Sequence, residues 1–142
     1  MKRLAGRELS ATNVTDIEAG LKTVELFEIP AVAVIKHNTP CGIALGETPA
    51  QALERALAAD PESAFGGVVV LNRQMNLEAA RLIADFKEAG KGQMDIIAAP
   101  AIVIDALELL KEVRKSTGIY VFGGIPRFSS GRTLIRTISA GV

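Results

Sequence analysis

The sequence contains no tryptophan, one cysteine and one histidine among its 142 residues, and these absences exclude several classes of protein. With one cysteine, neither a disulfide framework nor a multi-cysteine metal site can form within the chain. Aromatic residues make up only 4% of a chain that is 49% hydrophobic, so its core must be packed mainly from aliphatic side chains. No apolar stretch approaches the roughly 20 residues that a membrane-spanning helix needs, so we expect no membrane contact.

An excess of either charge is also lacking, because sixteen basic residues balance sixteen acidic ones. This balance argues against a nucleic-acid partner held by bulk electrostatics. From Lys111 onward, however, six basic residues stand against Glu112 alone, in a segment that could meet an anionic ligand or simply be solvated. The basic N-terminus is not followed by the apolar run of a secretion signal, so we expect a soluble, cytoplasmic protein.

Apolar periodicity predicts an α/β protein of one domain, with helices packed on a largely parallel layered sheet. The first helix is predicted over 16–28, behind a capping box formed by Thr15 and Glu18. The second predicted helix runs from Pro49 to Asp60, behind a capping box formed by Thr48 and Gln51. Two more helices are predicted, one over 77–89 behind Asn76 and one from a start at Asp105 with Glu108. The predicted strands are 29–35, 67–71, 95–98, 119–122 and 134–138, and a further extended piece is predicted at 101–104.

The most informative residues follow the first of these strands, where Lys36 and His37 leave a run that is apolar on both faces. Pro40 and Gly42 are predicted to stop the strand pairing at this point. A histidine, which titrates near neutral pH, can act as a general acid or base, and a neighbouring lysine can stabilise a developing oxyanion. The alternative is an ordinary solvated pair at a strand end.

Other residues are candidates for a binding site, and each has a plainer alternative. Phe65 offers a flat face to a heterocycle, and Gly66 with Gly67 lets a ligand approach the backbone, or the three form a turn with Phe65 in the core. Asp95, at a strand entry, could bind a hydroxyl or an amine, or it could be a surface or capping carboxylate. Asn13 could contact a substrate or serve as a turn residue.

Cys41 lies close to His37 in the sequence, which raises the hypotheses of a nucleophile and of a zinc ligand. One cysteine and one histidine are too few for a zinc site, and the spacing through Pro40 does not establish a catalytic pair. The residue types therefore favour a small buried thiol.

Taken together, these residues resemble a known family. The stretches concerned are GRELS at 6–10 with Asn13 and Asp16, IKHNTPCGIA at 35–44, DPESAFGG at 60–67 and IIAAP at 96–100. They are similar to the transformylase domain of the bifunctional purine-biosynthesis proteins, which is a 5-aminoimidazole-4-carboxamide ribonucleotide (AICAR) formyltransferase. The resemblance runs from about Leu4 to Leu110 and reappears at Arg136–Gly141. It identifies residues 1–142 as a partial transformylase domain, its first cytidine-deaminase-like subdomain, truncated at both ends.

This resemblance implies a cytidine-deaminase-like α/β fold without zinc and an enzyme of purine (IMP) biosynthesis. The implied reaction transfers a formyl group from 10-formyltetrahydrofolate to the 5-amino group of AICAR, with His37 as proton acceptor and Lys36 as charge stabiliser. Asn13, Phe65, Gly66 and Asp95 would contact the substrate.

The family's site draws on both subunits of a homodimer, so a second copy or a complementing chain is the implied partner. The second half of the transformylase domain and the cyclohydrolase domain are absent from this sequence. The alternative is therefore a non-catalytic module derived from that domain, used for nucleotide binding or dimerisation. A deaminase is disfavoured because the zinc ligands of that class are missing.

Overall fold

The computed structural model describes residues 1–88 and 93–124, and in them the chain forms six strands and four helices. In chain order these are β1 (Lys2–Ala5), α1 (Ala11–Val24), β2 (Ala31–Lys36), β3 (Thr39–Leu45), α2 (Pro49–Ala59), β4 (Val68–Leu71), α3 (Leu77–Glu88), β5 (Ile96–Ala99), α4 (Ile104–Val113) and β6 (Gly118–Val121). The strand predicted at 134–138 and the resemblance at Arg136–Gly141 lie outside the described residues. No described helix is both long and apolar enough to cross a bilayer.

The strands form one sheet in the order β1-β6-β5-β4-β2-β3. Parallel pairing joins β4 to β5 and β5 to β6, whereas β1–β6, β2–β3 and β2–β4 are antiparallel. The α/β architecture is therefore confirmed, but the expectation of a largely parallel sheet was wrong, because the sheet is mixed. The cause is β3: α2 connects β3 to β4, and β2 lies between these two strands in the opposite direction.

Strand β3 departs from the prediction that Pro40 and Gly42 end the strand pairing. The chain instead reverses in a two-residue loop, with Lys36 paired to Thr39. Pro40 causes no loss of pairing because β3 is an edge strand, where a residue without an N–H is tolerated. The register shifts at Cys41, since Val34 pairs with Gly42 and Ile35 with Pro40.

Helix α1 begins earlier than predicted, and the capping box at Thr15 and Glu18 was wrong. Ser10 is the N-cap residue, and it forms a capping box with Asn13 instead. Thr15 lies inside the helix, where its hydroxyl donates to the Thr12 carbonyl over 2.9 Å.

The other predicted helix starts differ in outcome. Thr48 accepts a hydrogen bond from the Gln51 N–H, and Asn76 accepts one from the Ala79 N–H, so both residues are confirmed as caps. The Gln51 side chain accepts from the Glu47 N–H instead of the Thr48 N–H, so the second half of the predicted capping box was wrong. Helix α4 begins at Ile104, one residue before the predicted start at Asp105. It has no side-chain cap, so the prediction that Asp105 and Glu108 cap it was wrong.

The sheet is covered on both faces, as the apolar run in β2 requires. Helix α1 packs Ile17, Leu21 and Val24 against one face, and α2, α3 and α4 cover the other. The contact between α1 and the sheet depends on Gly20, where an added Cβ would lie 2.4 Å from a methyl carbon of Val70. This close approach fixes α1 beside β2 and β4.

Asn72, directly after β4, ties the chain between α1 and β2 to the sheet. It is only 2% exposed, and its Oδ1 accepts a hydrogen bond of 2.8 Å from the Ala31 N–H. Its Nδ2 donates to the carbonyls of Phe27 and Ile29 over 3.0 and 2.9 Å. One side chain therefore satisfies several backbone groups that would otherwise be buried without partners.

We predict that Asn72→Ala lowers the free energy of unfolding by about 3 kcal/mol, since it removes these bonds and leaves backbone groups unpaired. Urea denaturation measures the change. Gln74→Ala, at an exposed position two residues away, is the control and should change the value by less than about 0.5 kcal/mol. Equal stability of the two variants would contradict the prediction.

Candidate functional site

Five of the six predicted site residues, all except Asn13 on α1, lie at one edge of the sheet. Because β2 runs against β4, the last residues of β2 lie beside the first residues of β4 and β5. This edge, here called the site edge, contains Lys36 and His37 after β2, Gly66 and Gly67 before β4, and Asp95 before β5. Sequence positions nearly 60 residues apart are thereby brought together. The backbones of Lys36 and Asp95 are two strand spacings apart, or about 10 Å.

Lys36 and His37 lie where the sequence predicted them, at the point where a buried strand enters a turn. Lys36 is the half-buried last residue of β2, and His37 is the exposed first residue of the loop. The sequence did not predict the backbone conformation, in which φ is +52° at His37 and +63° at Asn38. A two-residue hairpin loop of type I′ has positive φ at both positions, and asparagine tolerates this better than most residues.

Asp16 holds this loop against α1. Its Oδ1 accepts a hydrogen bond of 2.7 Å from the Asn38 N–H, and the side chain is only 4% exposed. Sequence reasoning assigned this residue no role of its own. The signal that could have found it is its three-residue spacing from Asn13, which puts both on one face of α1.

Asn13 lies one turn before Asp16 and is buried at 8% exposure. Its Oδ1 accepts from the Ser10 N–H, and its own N–H donates to Ser10 Oγ, each over 3.1 Å. The alternative of a local structural role is therefore realised as a helix cap rather than a turn. A contact between its Nδ2 and a substrate stays a prediction.

Phe65 and Gly66 form the turn that leads into β4. Phe65 is 56% exposed, so the alternative that placed its ring in the core was wrong. Gly66 has φ +72°, and an added Cβ would meet nothing within 4 Å, so the space above its backbone is open. At Gly67 an added Cβ would lie 3.0 Å from the Ala64 carbonyl oxygen and 3.2 Å from that of Ile35. The two glycines thus serve different needs, a left-handed turn and a close approach to β2.

Asp95 is paired with Arg7, which sequence reasoning missed. Arg7 Nη1 lies 3.0 Å from Asp95 Oδ1, and both side chains are partly exposed. Arg7 Nε also donates to the Ser116 carbonyl over 2.8 Å, so the guanidinium is held from two sides. The Asp95 N–H donates to the Gly67 carbonyl, which joins this pair to the Phe65 turn.

Two further groups near Lys36 have shifted pKa values. Hydrogen bonds from the hydroxyl and backbone N–H of Ser63 hold the pKa of Asp60 below its usual value, and the Lys36 charge lowers it further. Burial raises the pKa of the Cys41 thiol, and the Asp60 carboxylate raises it further. Cys41 Sγ contacts the Ser63 carbonyl oxygen at 3.6 Å. A neutral, half-buried thiol at neutral pH fits the structural role and not that of a nucleophile.

The site edge is a set of separate groups and not a hydrogen-bonded catalytic network. Among residues 1–88 and 93–124, none of the six predicted site residues hydrogen-bonds to another. In the same ranges no three histidine, cysteine or acidic side chains lie together as metal ligands. A groove of about 330 Å³ between α2 and α3, lined by Leu57, Leu82 and Phe86 among others, lies outside the site edge.

The sequence comparisons with known proteins all point to the same family. The family described as the AICARFT/IMPCHase bienzyme matches residues 1–142. The bifunctional purine biosynthesis protein PurH of Persephonella marina is 34% identical over 139 residues, 98% of this chain and 26% of that protein. PurH of Caulobacter vibrioides is 36% identical over 142 residues, again 98% and 26%. PurH of an Anaeromyxobacter species is 54% identical over 84 residues, 59% of this chain and 16% of that protein. The chain thus spans about a quarter of the length of these relatives or less.

Solved structures share the fold. A dCMP deaminase from the cyanophage S-TIM5, in apo form, matches with a TM-score of 0.56 at 16% identity, over 78% of this chain and 98% of that one. A putative formate dehydrogenase accessory protein from Desulfotalea psychrophila matches with a TM-score of 0.58 at 10% identity, over 80% and 52%. At these identities the likeness shows a deaminase-like fold and nothing about activity.

We predict that Cys41 is alkylated slowly by iodoacetamide at neutral pH, because its raised pKa keeps the thiol protonated. The pH midpoint of the alkylation rate should lie above the midpoint of the same chain unfolded in urea, which is the matched control. A folded-state midpoint below that of the unfolded chain would contradict the prediction and restore Cys41 as a candidate nucleophile.

Proposed function

Because this chain belongs to the AICARFT/IMPCHase bienzyme family, we propose that it carries the formyltransferase site of that family rather than the cyclohydrolase site. The proposed reaction moves the formyl group of 10-formyltetrahydrofolate to the 5-amino group of AICAR. The observation that carries the proposal is the convergence of Lys36, His37, Gly66 and Asp95 at the site edge. The deaminase-like fold supports it, since the sequence resemblance implies that fold for the transformylase domain.

His37 is the proposed proton acceptor. The AICAR amine is a weak nucleophile because its lone pair is drawn into the imidazole and carboxamide. As its nitrogen bonds to the formyl carbon, the imidazole takes the amine proton. The imidazole then donates this proton to the folate nitrogen as the bond from that nitrogen to the formyl carbon breaks. His37 ends the cycle as it began, so no oxidant, reductant or other co-reactant is needed.

Lys36 is the proposed stabiliser of negative charge. The formyl oxygen carries that charge in the tetrahedral intermediate, and an ammonium group beside it lowers the barrier. Lys36 suits this role because it is half-buried at the end of a rigid, fully buried strand, where its charge is screened less than on an open surface.

The remaining predicted residues would hold AICAR. The open backbone at Gly66 lets a planar ring approach, and the exposed ring of Phe65 can stack on it. The Asp95 carboxylate, oriented by Arg7, can accept hydrogen bonds from hydroxyl or amine groups of the substrate. The Asn13 amide can donate from Nδ2, because its Oδ1 is already bound to the helix cap.

The site edge is open, so the proposal includes a partner chain. His37 and Phe65 are both exposed, and a reactive formyl donor must be protected from water during transfer. A second copy of the chain in a homodimer, or a complementing chain with the rest of the transformylase domain, would supply the missing wall. Small molecules and this partner, rather than nucleic acid or a membrane, are its proposed ligands, and the cytoplasm is its proposed compartment.

We predict that His37→Ala lowers kcat for formyl transfer by roughly 100-fold to 10,000-fold, the usual range for removing a general base. Lys36→Ala should lower kcat by roughly 100-fold to 1,000-fold, the usual range for losing a charge-stabilising group. Tetrahydrofolate formation from AICAR and 10-formyltetrahydrofolate is the measurement. Lys111→Ala, at an exposed lysine on α4, is the matched control and should leave kcat unchanged.

The same purified protein distinguishes the proposal from its alternative. Turnover that survives His37→Ala would contradict the catalytic assignment. AICAR binding by calorimetry without turnover, including after the missing domain half is supplied, would favour a non-catalytic nucleotide-binding or dimerisation module. Absence of both binding and turnover under those conditions would overturn the formyltransferase proposal.

A further inference from the structure

We infer that Asp16 is a positioning residue for His37: by accepting the Asn38 N–H, it fixes the loop in which the imidazole is presented. This inference rests on the proposed function for its catalytic consequence, but the structural part stands on the geometry alone. The bond is short, 2.7 Å, and a carboxylate acceptor makes it charge-assisted.

Apart from the pairing of Lys36 with Thr39 at its base, the loop has little else to hold it. His37, Asn38, Thr39 and Pro40 are all exposed, so side-chain packing contributes little at the tip of the hairpin. The two central residues also have positive φ, a conformation that residues with a Cβ adopt only when their surroundings enforce it. Such a loop would open readily without a bond to a rigid part of the molecule.

Helix α1 is that rigid part. Asp16 is followed by Ile17, which is 1% exposed, and the helix lies close against the sheet at Gly20, one turn further on. The capping box of Ser10 and Asn13 fixes the N-terminal end of α1, one turn before Asp16. The helix is therefore fixed both before and after Asp16. The hydrogen bond from the Asn38 N–H to Asp16 in turn fixes the loop relative to the helix.

The position of the imidazole decides the rate of a proton transfer. Displacement of a catalytic group by about 1 Å can cost roughly 100-fold in rate, even when the substrate still binds. Loss of the Asp16 bond should therefore lower kcat far more than it changes the KM for AICAR. Substitution of a residue that only stabilises the fold would instead lower the fraction of folded, active protein, wherever in the structure that residue lies.

The experiment compares Asp16→Ala, Asp16→Asn and the control Asn72→Ala. Asn72 is also buried and also binds backbone groups, but it acts at Ala31, five residues before Lys36 along β2 and thus about 17 Å away. The Asp16→Asn variant keeps an acceptor oxygen where the carboxylate stood, so it should rescue the bond. Should Asp16→Ala fail to fold, Asp16→Ser replaces it, since a hydroxyl is too short to reach Asn38.

Three measurements decide the inference: hydrogen exchange of the Asn38 amide, kcat and KM for AICAR, and the NMR signal of the only imidazole in the chain. Asp16→Ala should lower Asn38 protection at least tenfold, lower kcat at least tenfold with KM changed less than threefold, and broaden the His37 signal. Asp16→Asn and Asn72→Ala should keep Asn38 protection and kcat within threefold of the unmodified chain.

Unchanged Asn38 protection in Asp16→Ala would overturn the inference, as would the loss of kcat in Asn72→Ala to the same degree. Failure of Asp16→Asn to rescue would also overturn it, because the negative charge and not the hydrogen bond would then be required. An unmodified chain without turnover would count against the proposed function alone. In that case the exchange and imidazole measurements still decide whether Asp16 positions His37.

Discussion

The direction of β2 is the constraint on which the rest of the structure depends. This strand is buried on both faces, and it runs against β4 although α2 links β3 to β4 in parallel. If β2 ran with β4, Lys36 would lie at the opposite edge of the sheet from Gly66 and Asp95. The antiparallel placement puts the end of one strand beside the beginnings of two others. The two-residue loop after Lys36 makes this possible, because it returns the chain as the edge strand β3 and leaves β2 beside β4.

Structural roles and the proposed functional roles fall on the same residues in and around the site edge. Asn13 caps α1, Asp95 pairs with Arg7, and Gly67 permits a contact between the Phe65 turn and β2. From the sequence alone, a structural role and a role in the site are alternative interpretations of each residue. In the fold these roles are compatible, since a group fixed by one interaction is better placed to offer its remaining donor or acceptor to a ligand. Preorganisation of this kind lowers the entropy cost of binding.

Several features that depend on one residue or one local pattern were predicted correctly from the sequence, although the capping patterns at Thr15 and Asp105 were wrong. Thr48 and Asn76 cap helices as predicted, and the apolar runs before Lys36 and after Gly67 are buried strands. Prediction from the sequence also failed where a residue has opposite meanings in different surroundings. Pro40 ends a central strand but is tolerated in an edge strand, and only the sheet order shows which applies. The spacing of Asp16 from Asn13 indicates a shared helix face, but the sequence does not reveal its partner, a backbone N–H 22 residues away.

The likeness to a dCMP deaminase fold raises the question of how one architecture can suit a different reaction. A zinc deaminase needs a metal because its nucleophile is water, which must be activated before it attacks a base. In the proposed formyl transfer the nucleophile is the substrate's own amine, so the protein has to supply a base and a positive charge rather than a hydroxide. One histidine and one lysine at adjacent positions meet that need, whereas the single histidine and single cysteine of this chain supply too few ligands for the deaminase centre. Such a site must also exclude water from the formyl donor. Because His37 and Phe65 are exposed, the proposed partner chain would be as important to the proposed chemistry as His37 and Lys36.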